Sequence, residues 1–344
     1  MKKKRTGLKV VLICLLVLIL VPVLVVGGLL IGGNKYLNDR LDHSEITGDM
    51  DLSIEDIYGG ETVGQTAPQS EIDAVREEFE EAQKLEYTQL EGVDNILLIG
   101  ADRRDKLENG RSDTMIIVSM NHNTGKIHMT SLMRAMYVCI PRSDGDVWGM
   151  LNAAYSWGGP NLLVDTIELN FRIQIDKYVV IDFAAFENVV NLLDGVEIEL
   201  TEAEANYMGL AGVYAPAGKT LLNGKQALMY SRIRMLDNDF VRTSRQRKVI
   251  NELLKKARKM DLTTMLALAD QILPMVNTNL TNSEILVYLT RAIPMLKNEV
   301  TQRMLPVENE SGKSYYGMIY VDGREMYRVN FTKNIQALYD FINS

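Results

Sequence analysis

Histidine is nearly absent from this chain: 344 residues hold only His43, His122 and His128, at unrelated spacings. An imidazole-based zinc centre or a Ser/His/Asp triad needs histidines in a pattern, so both are excluded as leading readings. Cysteine is as scarce. Cys14 lies in an apolar N-terminal run and Cys139 far beyond it; if that run crosses a membrane, the thiols fall in different compartments and no internal disulfide forms. The folded part must then be held by its core, which its size allows. Positive charge is also in deficit, with a net of -8. The acid is concentrated, since residues 38–91 carry sixteen Asp and Glu against Arg40, Arg76 and Lys84. Residues 92–344 are therefore close to neutral, and their arginine clusters are local features, which argues against nucleic acid as a partner. No internal repeat and no low-complexity segment is visible.

Charge is missing altogether from the 25 residues between Lys9 and Lys35. At about 1.5 Å per residue such a helix spans roughly 37 Å, against about 30 Å of bilayer hydrocarbon. Lys2, Lys3, Lys4, Arg5 and Lys9 precede it, which by the positive-inside bias keeps residues 1–9 cytoplasmic and sends the bulk of the chain outside. The run is too long for a cleaved signal peptide, and no small-residue cleavage site follows it. The expectation is a single-pass signal anchor over 10–33 in the cell membrane. Residues 34–91 follow as an acidic extracytoplasmic stalk, ending in the helical pattern EIDAVREEFEEAQKLEYTQL, read as a solvated spacer.

The folded domain is expected over 92–344. NILLIG, TMIIVSM and KIHMTSLM read as strands, the last two joined by the turn NHNTG. GGPNLLVDTIELNF has helical period, and KYVVIDF, AAFENVVNLL and GVEIEL alternate strand, helix, strand. LNGKQALMY reads as a helix with Asn223 as its cap. Helices around LALADQIL and SEILVYLTRAI, then a YRVNF strand with a last helix, complete the same domain. The predicted class is α/β, a layered α-β-α domain with a central mixed sheet.

Four clusters carry chemistry. Asp102 follows directly on NILLIG, and Arg111 and Asp113 stand just before the next strand, with Arg103 and Arg104 beside them. Two carboxylates at strand ends are suitable hard oxygen ligands for magnesium, although a single loop Asp is more often a turn cap. Arg134 stands alone in the apolar run HMTSLMRAMYVCI, where it must snorkel or meet an anion. Arg232 and Arg234, if extended, point both guanidinium groups to one face. The helix expected after Asp239 buries Val249, Ile250, Leu253 and Leu254, and stepping back by three and four residues reaches Gln246 and then Arg242, with Arg245 flanking. Asp239 is placed both to cap that helix and to face the same cavity. So many arginines would repel one another without an anionic partner, and guanidinium suits phosphate oxygens. A diphosphate with Mg2+ resolves the repulsion. GKT at Gly218–Thr220 is not a Walker loop, since Val213 stands where that pattern needs glycine. The anchor points instead to a lipid-linked diphosphate, with apolar side chains near Phe183, Phe186, Leu221 and Leu222 as candidates for its tail.

The segments NILLIGADRR, GRSDT, SLMR, LNAAYSWGGP, LNGKQALMYSRIR and DNDFVRTSRQ, from about Asn95 to about Lys259, together resemble the LytR-CpsA-Psr family of bacterial cell-wall enzymes. The resemblance implies a magnesium-assisted phosphotransferase that moves a glycopolymer, of teichoic acid or capsular polysaccharide type, from undecaprenyl diphosphate to peptidoglycan. It implies Asp102 and Asp113 as metal ligands. Arg134, Arg232, Arg234, Arg242 and Gln246 match the diphosphate-binding set, Arg111 and Asp239 match motif positions, and Arg104 and Arg245 are supports. Asp239 or a metal-bound hydroxyl would accept the proton. Three positions depart from the family pattern: Met133 and Ala135 flank Arg134 where proline and aspartate are usual, and Met150 replaces a lysine. Two other readings use the same residues: hydrolysis of the lipid diphosphate, and a non-catalytic tether that binds it.

Overall fold

A computed structural model describes residues 64–86, 90–102, 110–233, 236, 239–260, 271–296, 298, 300–307 and 316–344. The expected anchor over 10–33 and stalk to residue 63 lie outside them; among the described residues no helix is long and apolar enough to cross a membrane. The chain divides into two compact units, one formed by Ser44–Val180 with Asn298–Ser344, the other containing Ile181–Lys297.

The first unit opens with helix α1, Gln69–Lys84. Strands β1 (Val93–Asp102), β2 (Arg111–Asn121) and β3 (Lys126–Leu132) follow. The hairpin β4 (Tyr137–Ile140) and β5 (Val147–Met150) leads into helix α2, Leu151–Phe171. β6 (Lys177–Asp182) runs across the unit boundary. The C-terminal part adds β10 (Val300–Leu305), the hairpin β11 (Tyr316–Val321) and β12 (Arg324–Val329), and helix α8 (Phe331–Ile342). The sheet's strands in this unit run β10-β3-β2-β1-β6. β1 to β3 are antiparallel and β10 lies parallel to β3, so the expected α/β class with a mixed sheet is what the chain forms. The central strands are buried on both faces, which is why NILLIG and TMIIVSM read as continuous apolar runs.

The second unit holds α3 (Phe183–Leu192), β7 (Val196–Leu200), α4 (Glu202–Leu210), β8 (Gly218–Leu222), α5 (Gly224–Ser231), α6 (Asp239–Ala257), β9 (Val276–Thr278) and α7 (Asn282–Met295). β7 and β8 form an antiparallel hairpin, and α5 packs against α3, α4 and α6. Asn223 caps α5 as the sequence implies, in a reciprocal box with Gln226. Gly224 is required here because a Cβ would lie 2.1 Å from the Glu187 carbonyl oxygen of α3. Most of the expected LALADQIL helix lies outside the described residues.

One reading is corrected. α1 is not a solvated spacer: Ile72, Val75, Phe79 and Ala82 form one buried stripe, and Phe79 sits edge-on to Trp148 at 5.3 Å and to Phe331 at 5.4 Å. Their 3-4-3 spacing is visible in EIDAVREEFEEAQK but is masked by the six acids around it. The apolar run around Arg134 is divided between two strands. β3 ends at Leu132 and β4 begins at Tyr137, and a turn carries Met133–Met136, with the Met136 amide donating to the Met133 carbonyl oxygen at 3.3 Å. Substituting Phe79→Ala should destabilise this unit by about 3–5 kcal/mol, read as a fall in denaturation midpoint; a spacer helix would leave the midpoint unchanged.

Candidate active site

In the first unit the site candidates gather where β1 and β2 end. The two strands pair in register up to Gly100↔Thr114, then resume at Ala101↔Ser112, so Asp113 is one extra residue on β2. Such a bulge turns its side chain out of the ladder, and bulges are common beside active sites. Gly100 permits it, since a Cβ there would stand 3.0 Å from the Thr114 side chain. The Asp113 carboxylate accepts from Arg134 Nη1 at 3.1 Å, with side-chain exposures of 11% and 23%. The dilemma of a lone arginine in an apolar run is thus resolved: Arg134 is on the turn and meets an anion. One position beyond Ala101↔Ser112, Asp102 pairs with the exposed Arg111. The side chain of Asp102 lies outside what the structure describes, as does Arg104 entirely.

The turn itself is held from both sides. The Arg134 carbonyl accepts from the Asn152 amide at 3.2 Å, at the start of α2, and the Ala135 carbonyl accepts from the Tyr327 amide at 2.8 Å, on β12. Ser156 Oγ of α2 donates to the Gly110 carbonyl at 2.9 Å, just ahead of β2. The LNAAYS segment therefore serves the site through its backbone and Ser156.

In the second unit Arg232 is not on an extended strand. It is the C-cap of α5, and its guanidinium lies over the Phe183 ring at 4.4 Å, a cation–π contact that orders an otherwise exposed side chain. The two-pronged strand geometry expected for Arg232 with Arg234 is therefore replaced at Arg232 by a helix end; Arg234 lies outside the described residues. Phe183 thus supports an arginine, while Leu221 (60% exposed) and Leu222 (0%) point to opposite faces of β8 and do not share one groove.

Helix α6 begins at Asp239, whose side chain is not described, and its inner stripe continues from Val249, Ile250, Leu253 and Leu254 back to Arg242 at 2% exposure, as the spacing implies. Gln246 is half-buried. Arg245 does more than flank the stripe. Only 3% exposed, it donates through Nε to Glu204 Oε1 at 2.7 Å and through Nη1 to the Ile233 carbonyl at 3.3 Å. Glu204 is 5% exposed and also completes the capping box of α4 with Thr201. Burial alone would raise the Glu204 pKa, but Arg245 and the Thr201 donors outweigh it and hold the carboxyl below its usual value. The buried Tyr230 hydroxyl nearby is pushed up to about 12, by burial first and then by Glu204. Glu204 was invisible as a site residue in the sequence. TEAE signals a capping box, yet nothing marks its partner 41 positions later.

These two sets of residues belong to a known family. A family model described as the LytR_cpsA_psr family matches residues 61–335, and the chain belongs to that family. Over 193 residues the chain is 36% identical to the polyisoprenyl-teichoic acid–peptidoglycan teichoic acid transferase TagU of Oceanobacillus iheyensis, covering 54% of this chain and 57% of TagU. The match thus spans little more than half of that relative. A longer match, 32% over 260 residues, is to the regulatory protein MsrR of Staphylococcus aureus, covering 74% of this chain and 75% of MsrR. Among solved structures, the LytR-CPS2A-psr family protein YwtF (TagT) with bound octaprenyl pyrophosphate lipid shares the fold at TM-score 0.55 and 21% identity, over 76% of this chain and 95% of that one.

The depressed Glu204 pKa fixes the sign of one pH effect. Its ionised form contributes stability that is fully present above the ordinary glutamate range and lost as pH falls through the lower, folded value. The difference in urea midpoint between wild type and Glu204→Gln should be largest at neutral pH and shrink as pH falls below that range.

Proposed function

We propose that the chain is an extracytoplasmic, membrane-anchored phosphotransferase that moves a glycopolymer from a polyprenyl diphosphate, of undecaprenyl type, to peptidoglycan. The observation that carries this reading is the Asp113–Arg134 pair on a bulged strand end, separated from the Asp102↔Arg111 pair by one register position, Ala101↔Ser112. It combines oxygen donors for a cation with a guanidinium for phosphate oxygens. Family membership supports the reading, as do the relatives named as teichoic acid transferases and the octaprenyl pyrophosphate bound to TagT. The membrane placement rests on the uncharged run after Lys9.

Mg2+ fits the donor set. Asp113 brings hard carboxylate oxygens, and Asp102 stands on the paired strand one register position beyond Ala101↔Ser112. When bound, the ion would supply charge neutralisation of the diphosphate oxygens. The chain's own residues do the rest. Arg134, steadied by Asp113 and by the turn, and Arg232, steadied by Phe183, present planar donors to equatorial phosphate oxygens. In the second unit Arg242 and Gln246 of α6 offer further donors, and Arg104, Arg111 and Arg234 are further candidate cations. A sugar hydroxyl of peptidoglycan attacks the phosphorus bearing the glycan in line, its proton passing to a base such as Asp239, and polyprenyl phosphate leaves. Negative charge builds on the bridging and equatorial oxygens, where fixed guanidinium groups stabilise it.

Ala135 has no carboxylate to offer, and its carbonyl is committed to Tyr327. The carboxylate usual after Arg134 is thus absent here, and Asp239 remains the proposed proton acceptor. Incubating the full-length protein in lipid nanodiscs with an undecaprenyl-diphosphate-linked glycan, peptidoglycan and Mg2+ should yield glycan joined to peptidoglycan. Free glycan phosphate would instead indicate hydrolysis, and tight donor binding without product a tether. Arg232→Ala or Arg242→Ala should lower the transfer rate by about 10²- to 10³-fold at unchanged thermal stability, and EDTA should abolish transfer until Mg2+ is restored. Normal turnover in either variant would remove that residue from the site.

A further inference from the structure

We infer that Arg245 is a positioning residue, and that with Glu204 it fixes the backbone at Ile233, immediately after Arg232. This deepens the transferase reading above and rests on it. In DNDFVRTSRQ the arginines at 242 and 245 look alike, and a count of cations would assign both to phosphate. The structure separates them. Arg245 is 3% exposed, its Nε is engaged by Glu204 at 2.7 Å, and its Nη1 reaches the carbonyl oxygen of Ile233. Ile233, itself fully buried, stands between Arg232 and Arg234. It follows the end of α5, where backbone carbonyls lack helical partners.

One guanidinium therefore ties three elements together. Glu204 belongs to α4, where it also receives the Thr201 amide at 2.9 Å, so its carboxylate is anchored at the helix start. Arg245 belongs to α6, and the Ile233 carbonyl to the segment that leaves α5. The groups facing the pair are the Thr201 amide and hydroxyl and the buried Tyr230 hydroxyl. A lysine has a single nitrogen at that reach and no rigid fork, so it cannot hold the carboxylate and the carbonyl in the same geometry.

Buried ion pairs can commonly be replaced by apolar residues of similar volume at little or no cost in stability, so such a replacement separates a folding role from a positioning one. A double variant, Glu204→Leu with Arg245→Met, tests this in the full-length protein reconstituted in nanodiscs. The expected result is a melting temperature near that of wild type with kcat for transfer lowered about 10- to 100-fold, since a displacement on the order of 1 Å at a reacting centre has that effect. Arg245→Lys, which keeps the charge, should likewise fold and lose about tenfold in kcat. Wild-type kcat in either folded variant would overturn the inference. So would failure of both variants to fold, which would make the pair a folding requirement alone. Absence of transfer by the wild-type protein would instead overturn the transferase reading, a different result from any of these.

Discussion

A guanidinium keeps its charge wherever it is placed, so every arginine drawn inside this chain must be matched by an anion, a carbonyl or an aromatic face. Arg245 is matched by Glu204 and the Ile233 carbonyl and Arg134 by Asp113, while the exposed Arg232 lies over the ring of Phe183. Each match also fixes a backbone element. The Asp113 bulge exists because β2 has one residue more than β1 needs, and Arg134 stands opposite it because β3 and β4 are broken by a turn. The cost of burying charge thus becomes a device for holding charge in place.

Much of the architecture was legible because its periods are clean. The strands NILLIG and TMIIVSM, the hairpin at NHNTG and the capped helix after Asn223 follow directly from apolar runs, turn residues and a capping box. The inward stripe of α6 was legible for the same reason, as Arg242 falls on the line drawn back from Val249 and Ile250. What was hidden depends on residues far apart in sequence. The buried face of α1 is four apolar residues in a strongly acidic helix, so composition outweighed period, and only its partners Trp148 and Phe331 make the face a core. The geometry at Arg232 was missed because the alternation of YSRIR suits a strand, while the capping box upstream had already committed the chain to a helix ending there.

The departures from the family pattern beside Arg134 are structurally mild. Met133 is buried and its amide donates to the Leu305 carbonyl at the end of β10, so the turn is secured by backbone bonds that any residue except proline can make. Ala135 contributes its carbonyl to Tyr327. What these substitutions remove is side-chain chemistry, namely one carboxylate, and not the placement of Arg134.

The same reasoning sorts arginines by role. A guanidinium that is to meet an incoming phosphate must be held from behind by something weaker than a second phosphate and stronger than water. In the proposed site the Phe183 face would do this for Arg232 and the Asp113 contact for Arg134. Arg245 is different in kind, because its Nε carries a buried carboxylate and its Nη1 a carbonyl. To release it toward a ligand would leave Glu204 charged and buried, a penalty of several kcal/mol by general experience with broken buried pairs. A residue so bound stabilises a site only through what it holds, and here it holds the chain segment between two other arginines.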